Sequence, residues 1–121
     1  SVFGGNQIRP NIHIQDLTNV YKHFISNSDL PGGIYNAGFE NLSIMKIAKK
    51  VAGIIPSKIV IKKKNDPRTY RQSSKKLLST GFVKSFSVDD AIRGIKEKYE
   101  GKQFKETDRC YTVKWMKRLN L

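Results

Sequence analysis

The stretch Asn11-Ile12-His13-Ile14-Gln15-Asp16 decides how the rest of the chain is read, because a short apolar segment passes there straight into a helix. Asn11 to Ile14 reads as a strand. Asp16 reads as the cap of a helix whose apolar residues Leu17, Val20, Tyr21, Phe24 and Ile25 recur at i, i+3, i+4, i+7 and i+8. That spacing gathers them on one face, which is expected to be core.

The pattern continues outward from this unit. Pro31-Gly32-Gly33 marks a turn, and Ile34-Tyr35-Asn36-Ala37-Gly38 reads as a buried strand ending in glycine. Ser43 is a cap for a second helix carrying Ile44, Ile47, Ala48 and Val51, and Gly53 is placed to end it. Lys58-Ile59-Val60-Ile61-Lys62 is a third strand. After a loop, Ser73 or Ser74 caps a short helix through Leu77 and Leu78, closed by Gly81. Ser87-Val88-Asp89-Asp90 has the spacing of a capping box, and Val88, Ala91, Ile92, Ile95 and Tyr99 line one face of the helix that follows. The order β-α-β-α-β-α-α predicts an α/β class: a small domain of short strands and about four helices. Beyond Gly101, residues 101–121 read as a charged tail with aromatics at Phe104, Tyr111 and Trp115.

Composition narrows the functional classes. Among 121 residues there are 23 Lys+Arg and 10 Asp+Glu, a formal charge of +13. Leu, Ile, Val and Phe number 33, enough for the chain to fold despite that charge. The length suits one domain and is too short for two complete α/β domains. The longest internal stretch without charge, Leu30 to Phe39, is broken by Pro31, Gly32, Gly33 and Asn36, so no membrane span and no membrane partner is expected. The start has no basic region followed by an apolar core and no Met, which suggests a cut-out or processed piece in a cytoplasmic setting. A single cysteine, Cys110, excludes an internal disulfide and a cysteine-rich zinc site.

A surface this basic attracts polyanions, so a nucleic-acid-binding module is one reading. Against it, 17 of the 23 cations are Lys, and they are not interleaved with aromatics as a single-strand stacking platform requires. The two histidines, His13 and His23, lack nearby cysteine partners, so no metal site is expected. Neither Gly4-Gly5 nor Gly32-Gly33 continues into a dinucleotide loop. The polar segment from Lys63 to Arg71 is different: Lys63, Asp66, Arg68 and Arg71 fall within one loop between a strand and a helix. The cations suit phosphate oxygens and the carboxylate suits ribose hydroxyls, the alternative being an ordinary solvated loop. Arg9, fixed by Pro10 before the first strand, is the second candidate, against a plain surface cation.

Taken together, Arg9-Pro10-Asn11-Ile12-His13-Ile14-Gln15-Asp16, then Ile34-Tyr35-Asn36-Ala37-Gly38, then Asp66-Pro67-Arg68-Thr69-Tyr70-Arg71 with Lys76 and Gly81-Phe82, form a series. It resembles the carboxyl-terminal part of the extended short-chain dehydrogenase/reductases, the NAD-dependent nucleotide-sugar epimerases and dehydratases. Asp108-Arg109-Cys110-Tyr111 also looks like one branch of that family. The resemblance implies that Arg9 contacts the nucleotide diphosphate, that Asp66 lies near the ribose, and that Arg68 is a phosphate-facing cation. Lys63 and Asn65 stand where the family's Arg-x-Gly-Asp has arginine and glycine, which keeps the charge but loses the planar fork. His13 and Asp16 match a strand residue and a helix cap.

The family's catalytic equipment has no counterpart here. Its members use a tyrosine followed four residues later by lysine, whereas Tyr21, Tyr35, Tyr70, Tyr99 and Tyr111 are followed at that distance by Ile25, Phe39, Ser74, Gln103 and Trp115. Residues 1–121 are therefore expected to be a single carboxyl-terminal, substrate-binding portion without the main Rossmann sheet. It would hold a nucleotide-diphosphate sugar through Arg9, Lys63, Asp66 and Arg68. No cofactor and no turnover are expected of this chain alone; NAD(P) and the redox chemistry would belong to an amino-terminal Rossmann domain. The rival readings are the basic nucleic-acid-binding module and a catalytically inert interaction fragment.

Overall fold

A computed structural model describes residues 1–63, 66–103 and 106–120, so the expectations placed on Asn65 and Phe104 lie outside the described residues. Among the described residues the fold is mixed α/β with five α-helices and two small sheets, and no large parallel sheet is present. Strand β1 (Val2–Phe3) pairs in parallel with β4 (Ile61–Lys62). Strand β2 (Ile8–Asn11) pairs antiparallel with β3 (Glu40–Ser43), with Arg9 opposite Leu42 and Pro10 opposite Asn41.

The strand expected at Asn11–Ile14 lies earlier, as β2 at Ile8–Asn11, and β1 precedes it where the sequence suggests no strand. Pro10 is tolerated because of alternation. The amide and carbonyl of Ile8 face away from β3, toward Thr69 and Tyr70, so the even positions of β2 need no amide proton for the sheet. Helix α1 (Ile14–Ser26) accordingly begins sooner, and its cap is His13, whose Nδ1 accepts from the Gln15 amide at 3.1 Å. Asp16 is not the cap. It lies in the first turn, fully buried, and accepts the amides of Ser85 at 3.1 Å and Phe86 at 2.9 Å. His13 stacks on the Phe86 ring, with centroids 4.6 Å apart.

Ile34 to Gly38 is not a strand. The Ser74 hydroxyl bonds both the amide and the carbonyl of Gly38, at 2.9 and 3.1 Å, and Lys76 Nζ donates to the Ile34 carbonyl at 3.1 Å. Side chains thus hold the segment, and among the described residues no strand lies beside it.

Helix α2 (Ile44–Ile54) is capped by Ser43 as expected but runs through Gly53, closing on the Ile55 amide. Of the third predicted strand only Ile61–Lys62 forms. Helix α3 (Lys75–Leu78) is followed by Gly81 at φ +87°, which a side chain would strain. Helix α4 (Val88–Glu100) has its capping box: Ser87 Oγ accepts the Asp90 amide and the Asp90 carboxylate accepts the Ser87 amide. The charged tail contains a 3₁₀ turn (Asp108–Cys110) and helix α5 (Thr112–Arg118).

Among the described residues the buried apolar side chains are Val2, Leu42, Leu77, Phe82 and Ile92. Around them Phe39 stacks on Phe82 at 5.9 Å, and His23 meets the Phe82 ring edge-on at 5.6 Å. The predicted core face of α1 is only partly covered. Leu17, Val20 and Phe24 are half-buried, whereas Tyr21 is 67% and Ile25 79% exposed. Ile34 is 87% exposed, and Ile95 and Tyr99 on α4 are also exposed. The periodicity places the apolar residues of each helix on one side, but the expectation that the α1 face is core holds only for the half-buried Leu17, Val20 and Phe24; among the described residues nothing covers Tyr21 and Ile25 to the same degree.

Candidate functional site

The loop after β4 is laid along β2 by polar contacts that reach across about sixty positions of sequence. Thr69 Oγ1 accepts the Ile8 amide at 2.7 Å, and the Tyr70 amide donates to the Ile8 carbonyl at 3.4 Å. Further on, Asn41 and Gln72 exchange two bonds: the Asn41 amide nitrogen donates to the Gln72 carbonyl at 3.0 Å, and the Gln72 backbone amide donates to Asn41 Oδ1 at 2.9 Å. Gly38 completes the seam by lacking a side chain. A Cβ there would lie 3.0 Å from Pro10 Cβ and 3.0 Å from Gln72 Oε1.

This seam brings Arg9 to Asp66 and Arg68. Arg68 grips the Asp66 carboxylate with two prongs, Nε to Oδ1 at 2.8 Å and Nη2 to Oδ2 at 3.0 Å, while its backbone amide donates to Oδ1 at 3.2 Å. Arg9 Nη2 approaches Oδ2 from the other side at 3.2 Å, and its Nη1 donates to the carbonyls of Ile8 and Arg68. The Arg9 guanidinium also lies over the Tyr70 ring, 4.8 Å from its centroid. The charge-assisted bonds from Arg68, helped by its backbone amide and by the positive charge of Arg9, hold the Asp66 carboxyl down at about 2 against the opposing effect of desolvation. The same pairing raises the pKa of Arg68.

Two guanidiniums share one carboxylate, so the cluster keeps one excess positive charge. Arg68 carries it outward, its side chain 77% exposed, while the Arg9 side chain is 20% exposed. Oxygen-rich anions are the ligands such a pair suits, because planar forks match two oxygens at once.

Of the four predicted site residues, Arg9, Asp66 and Arg68 therefore lie together. Lys63 is exposed just past β4, and among the described residues no hydrogen bond or ion pair joins it to them. Arg71 is likewise exposed. Sequence reasoning passed over Thr69 and Tyr70 as individual contributors. Their signal was their position between Arg68 and Arg71, in a loop that had to be anchored to something.

Among the described residues, neither Tyr35 nor Tyr111 has its hydroxyl paired with a lysine. Lys76 Nζ does sit against Tyr35, but over the ring face, 4.2 Å from the centroid, while the Tyr35 hydroxyl donates to the Pro31 carbonyl at 2.6 Å. The Tyr111 hydroxyl donates to Glu106, which raises its pKa, the wrong direction for a tyrosine that must ionise. Among the described residues no group of three or more His, Cys, Asp or Glu is placed to hold a metal ion. No protein-family model matches the chain, and no curated protein is similar enough to it to stand as a relative.

Proposed function

We propose that the chain is the nucleotide-sugar-binding, carboxyl-terminal portion of an NAD-dependent epimerase or dehydratase of the extended short-chain dehydrogenase/reductase class. The observation that carries this reading is the meeting of Arg9 with Asp66 and Arg68, fifty-seven positions and more apart in sequence, on the edge of β2. In this reading Arg9 and Arg68 hold a diphosphate that contains no reacting bond, and Asp66 accepts from the ribose. Binding energy collected so far from the reacting sugar carbons serves to orient them.

The incompletely covered apolar surface gives independent support. Helix α1 and the loop after it frame a groove of about 340 Å³ whose lining includes Leu17, Val20, Tyr21, Phe24, Tyr35 and Ala37. The proposed amino-terminal Rossmann domain would cover this surface and extend its sheet alongside Ile34 to Gly38. NAD(P) itself does not fit the residues present, since the glycine loop is not in the sequence and Tyr35 and Lys76 are engaged as described. These residues carry binding and no redox step.

Calorimetry with UDP, CDP, GDP and dTDP tests the assignment. At least one is expected to bind, and Arg9→Ala and Arg68→Ala are each expected to weaken it about ten-fold, the loss of one charge-assisted contact. Unchanged heats in both variants would remove the assignment. Tight binding to DNA or RNA with a steep log–log salt slope, without nucleoside diphosphate binding, would select the nucleic-acid reading instead.

A further inference from the structure

The carboxyl-terminal residues 106–120 form a unit distinct from the seam around Arg9. Helix α5 packs on the 3₁₀ turn that precedes it, where Lys114 Nζ donates to Asp108 Oδ1 and Arg118 Nη1 to Asp108 Oδ2, each at 3.0 Å. The guanidiniums of Arg109 and Arg118 lie 5.2 and 5.9 Å from the centroid of the Trp115 ring. At 3.6 residues per turn, Lys114, Lys117 and Arg118 occupy one arc of α5, while Val113, Trp115 and Met116, with Leu119 at the residue after the helix, lie on the other side, where Thr112 falls among them. Val113, Met116 and Leu119 are exposed, as is Tyr111 at the start of the helix.

We propose that this unit docks on the surface of an anionic lipid bilayer, with α5 lying in the headgroup region. Val113, Met116 and Leu119 face the acyl chains, Lys117 meets lipid phosphates, Lys114 and Arg118 join it by exchanging Asp108 for phosphate, and Trp115 sits at the boundary between them. The charge balance is complementary: residues 106–120 hold four cations, Arg109, Lys114, Lys117 and Arg118, against Glu106 and Asp108. A cationic arc beside an apolar arc with aromatics at the border is what an interfacial helix requires.

A nucleic acid would leave the Val113–Met116 side unused, and Trp115, with two guanidiniums against it, is a poor platform for stacking bases. An acidic protein could use the cations, but the breadth of the apolar arc favours acyl chains. The proposal departs from the expectation that there is no membrane partner, which rests on the lack of a membrane span in the sequence; among the described residues no helix is long and apolar enough to cross a bilayer, so the contact is confined to the surface. The proposal is independent of the sugar-nucleotide reading, since it uses none of Arg9, Asp66 or Arg68.

Trp115 is the single tryptophan in the chain, so its fluorescence reports this unit alone. Vesicles of phosphatidylcholine containing phosphatidylglycerol are expected to float the 121-residue chain, blue-shift its emission and allow quenching by brominated acyl chains. Pure phosphatidylcholine should do far less. Lys114→Ala and Lys117→Ala should each lower partitioning about five-fold. Met116→Asp should abolish the blue shift while leaving the thermal unfolding of the domain unchanged, because Met116 lies outside the buried core. The proposal is overturned if anionic vesicles neither float the chain nor shift its emission, or if Met116→Asp binds them as well as the natural sequence. It is also overturned if poly-glutamate or a single-stranded oligonucleotide reproduces the Trp115 response and vesicles do not.

Discussion

The seam that joins β2 to residues 66–74 and the outer face of α1 are built from the same short chain, yet they are finished to different degrees. Along the seam a hydroxyl, an amide pair and a carboxylate are each matched by the partners they require. No buried side-chain nitrogen or oxygen among the described residues is left without a partner. On the α1 side, Tyr21, Ile25 and Ile34 stand in solvent. Polar groups can be satisfied locally, one bond at a time, whereas an apolar face is satisfied only by another surface. A chain of this size can therefore complete the first and leave the second open.

Point substitutions sharpen this contrast, and the largest effect is expected where the closed half is most deeply tied. Asp16→Ala leaves the amides of Ser85 and Phe86 without their acceptor and should cost about 3 kcal/mol in denaturant unfolding. An equal loss from Ile25→Ser would break the distinction between the two halves. Gly38→Ala pushes a methyl group against Pro10 and Gln72 and should cost about 2 kcal/mol, with the β2–β3 amides losing protection from hydrogen exchange. Ser87→Ala removes one arm of the capping box, for about 1 kcal/mol. Ile25→Ser and Ile34→Ser on the open face should each change stability by less than about 0.5 kcal/mol while raising solubility.

The smallest change is a titration. Because the Asp66 carboxyl is held at about 2, below its unfolded value, its stabilising contribution is present above pH 3.8 and is lost as pH falls through about 2. Carboxyl NMR should show this, and Arg68→Ala should bring the midpoint back up. An Asp66 that titrates in the ordinary range in the natural sequence would mean that the Asp66–Arg68 pairing is not formed in solution.

The same contrast explains what could be read in advance. Ser43 and Ser87 were legible as caps because a cap is a local bond with a fixed spacing. The convergence of Arg9 with Asp66 and Arg68 was legible only through the order of motifs, since no local rule links positions that far apart. Local spacing places His13 in a strand and makes Asp16 the cap, because the partner that claims Asp16 is the backbone at Ser85 and Phe86, sixty-nine and seventy positions downstream. Ile34 to Gly38 has the composition of a buried strand, but a strand is a relation between two segments, and the described residues supply only one of them. Likewise the spacing of α1 shows where its apolar side lies, and cannot show whether anything rests on it.

The shared carboxylate at the heart of the seam makes any guest's arrival a substitution rather than a filling. Arg9 and Arg68 are already held by Asp66 in fixed orientations, so an incoming anion must offer both forks enough oxygen to replace what it displaces. Chloride and other single-point anions gain little from that trade. Under the proposed function, a molecule with several oxygens on adjacent centres would gain twice, once from the forks and once from handing Asp66 a hydroxyl in return.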